Sequence, residues 1–277
     1  MTSNPSQRAG GEGQLFAQAS FPEIYEQELV GPLFHPWVGS LLDDVELGLR
    51  DRVLDIACGT GIVGRLAKDR LGATGRVVGV DVNPQMLAVA HRVAPAIDWR
   101  ECDAGALPLG NDEQFDVVLC QQGFQFFKDR AAAARQMRRA LVKGGRLGVS
   151  TWRSDEEFSL LLELREIAER HLGPIDDRRH SLGKPGSIEA VLGESGFHDV
   201  RSKQYVRTVR FTDGFVFVRL NAMALIAMSA ASGALDEAAR QRVVATISQD
   251  SAELIRLHTN EAGFAFEIGT NVVLARA

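Results

Sequence analysis

The sequence is poor in the groups that announce chemistry by themselves. Only three cysteines occur in 277 residues, Cys58, Cys102 and Cys120. An odd number cannot all pair, and each lies in or beside an apolar run, which suits a reducing compartment and excludes a disulfide framework. Histidine is scarce at six, with neither an HxxxH nor a CxxC spacing, so no metal site is expected. Excess positive charge is missing too: 31 basic residues against 36 acidic ones give a formal net charge of −5. The clusters Arg135, Arg138, Arg139 and Arg178, Arg179 sit beside acidic or apolar residues and read as solvated faces, so nucleic acid is not an expected partner. No apolar run approaches the length of a membrane span. Residues 1–14 are polar and Gly/Ser-rich, without the apolar centre of a signal peptide; they read as a disordered tail on a cytoplasmic protein.

What is present is ordinary in bulk, 45% hydrophobic and 24% charged, and ordered in pattern. From about Leu15 an amphipathic segment carries Phe16, Phe21, Ile24, Tyr25, Leu29, Leu33, Phe34, Trp37, Leu41 and Leu42. Pro22, Pro32 and Pro36 are expected to break it into short helices. From Arg52 to Trp152, short β-branched runs alternate with helix-length stretches, the mark of βαβ units and a parallel sheet. Strands are expected at Arg52–Ala57, Arg76–Asp81, Ile97–Cys102, Phe115–Cys120 and Arg146–Trp152. Asn83 with Pro84, and Asp129, are helix starts. Further on, helices are expected over 156–171, 187–195, 215–230 and 235–258, with strands over 200–211 and 264–277.

Three acids end three successive strands. Asp55 precedes the glycine loop Cys58-Gly59-Thr60-Gly61, Asp81 ends the second strand and Asp103 follows the third. Glycines at a strand-to-helix turn let a backbone approach a ligand. Gly59 to Gly64 also satisfies GxGxxG, a weak signal alone. Asp55 would oppose a pyrophosphate but suit a ligand bearing an ammonium and a sulfonium. Asp81 could take both ribose hydroxyls, as it could for NAD. All three acids are expected to face one crevice at the carboxyl ends of the strands.

The ordered motifs VLDIACGTG, VVGVDVNPQML, ECDAGALPL, FDVVLCQQGFQFFKD and RRALVKGGRLGVSTW resemble the class I S-adenosylmethionine (SAM) dependent methyltransferases, in the branch of ubiquinone- and menaquinone-type enzymes. The resemblance covers residues 15–152 well and the remainder in outline. It implies a Rossmann-like α/β fold: a seven-stranded, mostly parallel sheet with the last strand antiparallel and helices on both faces. It also implies SAM as cofactor, S-adenosyl-L-homocysteine (SAH) as product, and methyl transfer to oxygen, nitrogen or carbon of a small molecule. In such enzymes the residues matching Gly59 and Gly61 approach the methionine part, Asp81 takes the ribose, Met86 packs near adenine and Asp103 takes its amine. A carbonyl at Cys120 or Gln121 meets the amino group, and Tyr25 matches an aromatic over the cofactor. Asp55, Ala57, Cys58, Val82, Cys102 and Ala104 complete the expected cofactor set.

One domain over 15–277 is expected, its core about 45–152 and 187–277. Typical relatives pass almost directly between the last two strands, whereas here a helical insert, about 213–260, intervenes. With the N-terminal helices it is expected to roof the crevice, making a substrate pocket from Phe34, Phe124, Trp152, Leu220 and Met223; alternatively its apolar face could serve a homodimer. The catalytic residues are unassigned; His35, His171, His180, His258, Tyr25 and Tyr205 are the candidate bases. An NAD(P)-dependent oxidoreductase and a SAM-binding module without turnover stay open as alternatives.

Overall fold

The computed structural model describes residues 20–110 and 113–277; the tail expected over 1–14, with Leu15 and Phe16, lies outside them. The chain enters on helix α1 (Phe21–Ile24), passes through a π-helical stretch (Tyr25–Phe34) and continues as α2 (His35–Asp44). The prolines do not break this run. Pro22 and Pro36 sit in first turns, where a missing N–H costs nothing, and Pro32 falls inside the wider π-helical stretch.

Then come β1 (Arg52–Ile56), α3 (Ile62–Leu71), β2 (Arg76–Asp81), α4 (Pro84–Val93), β3 (Asp98–Glu101), β4 (Phe115–Gln121), α5 (Arg130–Ala140) and β5 (Leu141–Trp152). Strand β5 starts five residues before the expected Arg146, because Leu141 already pairs with Phe115 ahead of a register shift. After it follow α6 (Ser159–Leu172), α7 (Ser187–Glu194), β6 (His198–Phe211), α8 (Gly214–Met228), α9 (Glu237–Asp250), α10 (Ala252–Leu257), the two-residue β7 (Thr259–Asn260) and β8 (Gly263–Arg276). The single helix expected over 235–258 is two, since Ser251, whose Oγ donates to Ile247 O, leaves helical geometry at ψ 0°.

The sheet order is β3-β2-β1-β4-β5-β8-β6, with β7 beside β8. Strands β1 to β5 are parallel, and β8 runs antiparallel to both β5 and β6. β1 and β4 are buried almost throughout, so both read as unbroken apolar runs. One apolar cluster covers each sheet face, the first with Ala134, Met137 and Leu192, the second with Leu41, Leu42 and Ala67. A third joins Ile24, Leu33 and Trp37 to Leu164, Leu220, Leu225, Ile247 and Phe264. The insert therefore buries its apolar face against this chain's own N-terminal run, α6 and β8. Among the described residues no helix is long and apolar enough to cross a membrane.

Candidate active site

The strand order reverses between β1 and β4, and the loops at the carboxyl ends of β1 to β4 line one cavity of about 710 Å³. Open α/β sheets hold ligands at such a switch point. The chain leaves β1 through Ala57 at φ 55° and Gly59 at φ 56°. Ala57 lacks glycine's freedom, so its backbone stores strain of the kind that collects at ligand sites. Asp81 ties this loop to the next: its Oδ2 accepts the Gly59 N–H at 2.8 Å and its Oδ1 the Asn83 N–H at 2.8 Å. Asp81 lines the cavity, and its two oxygens have acceptor capacity beyond these backbone bonds. Burial raises the Asp81 carboxyl pKa, while its backbone N–H partners act in the opposite sense.

Asn83 then caps α4, its Oδ1 accepting the N–H groups of Gln85 and Met86. That places Met86 and the exposed Val82 along the wall. Cys102, Asp103 and Ala104 follow β3; Asp103 Oδ1 accepts the Gly105 N–H at 2.7 Å. Tyr25 comes down from the helical run, its phenol pKa raised by burial and by the nearby Asp81 and Glu26.

Five of the expected cofactor residues stand elsewhere. Asp55 does not face the crevice: it is 1% exposed, and its Oδ2 accepts the Gly64 N–H at 2.9 Å, bracing the start of α3. Burial pushes its carboxyl up to about 8, so at neutral pH it is largely a neutral acid and offers no charge to a sulfonium. Gly61 serves a neighbour rather than a ligand. A Cβ on Gly61 or Gly79 would overlap the Trp99 indole, and one on Gly64 would sit 3.0 Å from it; the three glycines form a slot for that ring. Gly59, by contrast, has nothing within 4 Å of its Cβ position and lines the cavity. Cys58 and Cys120 are buried thiols whose pKa burial raises. Gln121 turns away, its Nε2 donating to Phe34 O at 3.2 Å. β4 runs through Gln121, so the cavity is met one step later, by Gln122 and Gly123.

The other half of the cavity is apolar: Phe21, Leu29, Leu33 and Phe34 from the N-terminal run, Trp152 from β5, Leu161 from α6, Phe217 and Leu220 from α8, and Ile268 from β8. Aromatic rings brace it, with Tyr25–Phe34 centroids 5.1 Å and Phe34–Trp152 centroids 5.9 Å apart. Phe124 is fully buried behind this wall against Phe127, and Met223 packs into the third apolar cluster; neither lines the cavity.

Polar groups converge at one end of that half: Gln122, Gln125, Arg179, His180 and Asn221. Arg179, expected on a solvated face, donates from Nε and Nη2 to Asp177 at 2.8 and 2.6 Å and from Nη1 to Asn221 Oδ1 at 2.8 Å. His180 Nδ1 lies 2.6 Å from Arg153 O. The other candidate bases stand outside the lining, except Tyr25: His171 pairs with Asp250, Tyr205 donates to Asp44, and neither His35 nor His258 reaches it. In the loop before α7, His180 is one of six candidate bases with nothing in the sequence to single it out, and Arg179 reads as surface. Among the described residues no group of three or more His, Cys, Asp or Glu side chains could hold a metal.

Comparison with known proteins agrees with this geometry. Residues 53–145 match the family described as "Methyltransferase domain". The chain is 41% identical over 167 residues to the ubiquinone/menaquinone biosynthesis C-methyltransferase UbiE of Xylella fastidiosa (strain M23), covering 53% of this chain and 66% of that protein, just under two thirds. It is 35% identical over 201 residues to the enzyme of the same name from Stenotrophomonas maltophilia (strain R551-3), covering 70% of this chain and 72% of that one. The crystal structure of YcgJ protein from Bacillus subtilis superposes with a TM-score of 0.56 at 17% identity, covering 87% of this chain and 98% of that one, a likeness of fold.

Proposed function

The chain belongs to the class I SAM-dependent methyltransferases, in the ubiquinone/menaquinone C-methyltransferase branch, and from that premise we propose that it methylates a small, largely apolar aromatic metabolite of quinone type. The observation that carries this reading is one continuous cavity, framed in one half by strand-end loops and in the other by an aromatic and aliphatic wall.

The strand-end residues fit SAM. Asp81 would take the ribose hydroxyls on its spare lone pairs. Val82, Met86 and the Cys102–Ala104 segment would flank the adenine, with Asp103 at its amine. Ala57, Gly59, Gln122 and Gly123 would give backbone contact to the methionine part. When bound, SAM supplies a methyl group already activated on a sulfonium leaving group. The protein's own task is to align the acceptor and exclude water, and alignment can supply about 7–11 kcal/mol of such a barrier. Leu29, Phe34, Trp152, Phe217 and Leu220 would do this by holding a flat apolar ring against the cofactor half. The name carried by the relatives favours ring carbon as the accepting atom. Because the insert packs into its own chain, this reading needs no second copy of it.

Isothermal calorimetry with SAM, SAH and NADH tests the cofactor, and transfer of labelled methyl to a panel of hydroxylated naphthoquinols, phenols and amines tests the reaction. Heat with SAM and SAH and label on a quinol are expected. Heat with NADH alone would instead favour an oxidoreductase, and SAH binding without label on any acceptor a module without turnover.

A further inference from the structure

We propose that His180 is a catalytic residue, its Nε2 taking the hydroxyl proton of the bound substrate while Arg179 holds the oxyanion that remains. The inference rests on the methyltransferase reading above and deepens it at the substrate end of the same cavity.

The geometry assigns the tautomer. His180 Nδ1 lies 2.6 Å from the Arg153 carbonyl oxygen, which can only accept, so Nδ1 carries the proton. Nε2 therefore holds a lone pair, and among the described residues it has no hydrogen-bond partner on a ring that lines the cavity. The charged groups around the imidazole are Arg179, Asp177 and Asp155. Burial first and Arg179 second lower its pKa; the Arg153 carbonyl contact, Asp177 and Asp155 pull the other way, and the net direction is down. The free ring is therefore neutral, and a phenolate formed against it would offset the burial and the Arg179 charge that oppose the imidazolium.

Arg179 is fixed beside it. Three of its five N–H groups are committed to Asp177 and Asn221, which locks the guanidinium plane and leaves two N–H groups for an anion. A second observation points the same way. Gln125, 1% exposed and part of the lining, has a buried Oε1 with no hydrogen-bond partner among the described residues. An unpaired buried polar atom is costly unless a ligand completes it. A wholly apolar substrate would leave all three groups unused; a dihydroxylated ring would use them, one hydroxyl at His180 and Arg179 and the other donating to Gln125 Oε1.

In the proposed step the substrate O–H bond breaks, its proton joins the Nε2 lone pair to make an imidazolium, and the electron pair stays on oxygen. The resulting phenolate is the stronger nucleophile, directly or through the ring carbon beside it. The imidazolium later returns its proton to water.

The test uses the full chain with SAH and 4-nitrophenol, whose phenolate absorbs at longer wavelength than the phenol. Wild-type protein should show excess phenolate on binding, its ionisation midpoint displaced by about one pH unit, or tenfold in the equilibrium. His180→Asn keeps a donor at the Nδ1 position for the Arg153 carbonyl and removes Nε2; it should bind SAH as wild type does and lose the excess. Imidazole ¹⁵N NMR on wild type, independent of any variant, should show Nε2 gaining a proton when the probe binds. No excess phenolate in wild type, an equal excess in His180→Asn, or an Nε2 that stays bare would overturn the proposal. Absence of SAH heat in wild type would instead strike the cofactor reading, a separate failure.

Discussion

Replacing Asp55 by Asn separates two roles that its place beside the glycine loop confuses. Its carboxyl is buried, accepts the Gly64 N–H, and is pushed up to about 8 by desolvation, with Asp81 adding to the effect. In the unfolded chain the same group ionises near pH 4. Between those values the unfolded state has released a proton that the folded state still binds. The contribution to stability is therefore full below about pH 4, shrinks as pH rises, and is gone above about pH 8. One proton corresponds to a slope of about 1.4 kcal/mol per pH unit, or about 2.7 kcal/mol between pH 5 and 7. Asparagine keeps the acceptor for Gly64 and cannot ionise, so the stability of Asp55→Asn relative to wild type should climb by that amount over the interval. In melting temperature, the gap between the two proteins should change by about 5–10 °C. Urea denaturation of both at pH 5, 6 and 7 reads the difference directly. SAH affinity should stay within about twofold of wild type, because the group lies behind the cavity wall. Parallel pH dependences, or a large loss of SAH affinity in this variant, would refute the argument.

Asp81→Asn should weaken SAH binding by about 10- to 150-fold in calorimetry, as expected for charged hydrogen bonds worth 1.5–3 kcal/mol. Gly59→Ala should cost only about 1–2 kcal/mol in urea denaturation, the penalty of a left-handed alanine, yet weaken SAH at least tenfold because its Cβ enters the cavity. Gly61→Ala should cost about 2–5 kcal/mol, backbone strain at φ 90° adding to a collision with the Trp99 ring. Leu220→Trp should raise the KM for an aromatic acceptor with the SAH Kd unchanged, while Met223→Trp, behind the wall, should perturb stability first.

The strands and the acids that line the cavity at their ends were legible because their signals are local. Parallel buried strands need continuous apolar runs, a helix under a ligand needs a cap such as Asn83, and Asp81 and Asp103 stand at strand ends that the hydrophobic period locates. The misreadings share a cause as well. Asp55 and Gly61 have the residue types of ligand contacts, but which way each faces depends on strand pleat and on the distant Trp99. Pro32 looks like a breaker until the wide π-helical stretch absorbs it.

The substrate end was beyond reach for the same reason. Arg179 and His180 lie in an irregular loop where the sequence offers His180 only as one candidate base among six, and they face Gln125 and Asn221 across about fifty and forty residues of chain. Sequence alone determined the parallel strands and the acids Asp81 and Asp103 at their ends, because each follows from periodicity and strand-end chemistry within a few residues. Tertiary structure decided which acid is buried and neutral, which glycine makes room for a side chain, and which histidine meets the cavity, since burial and facing are set by packing partners far away in the chain.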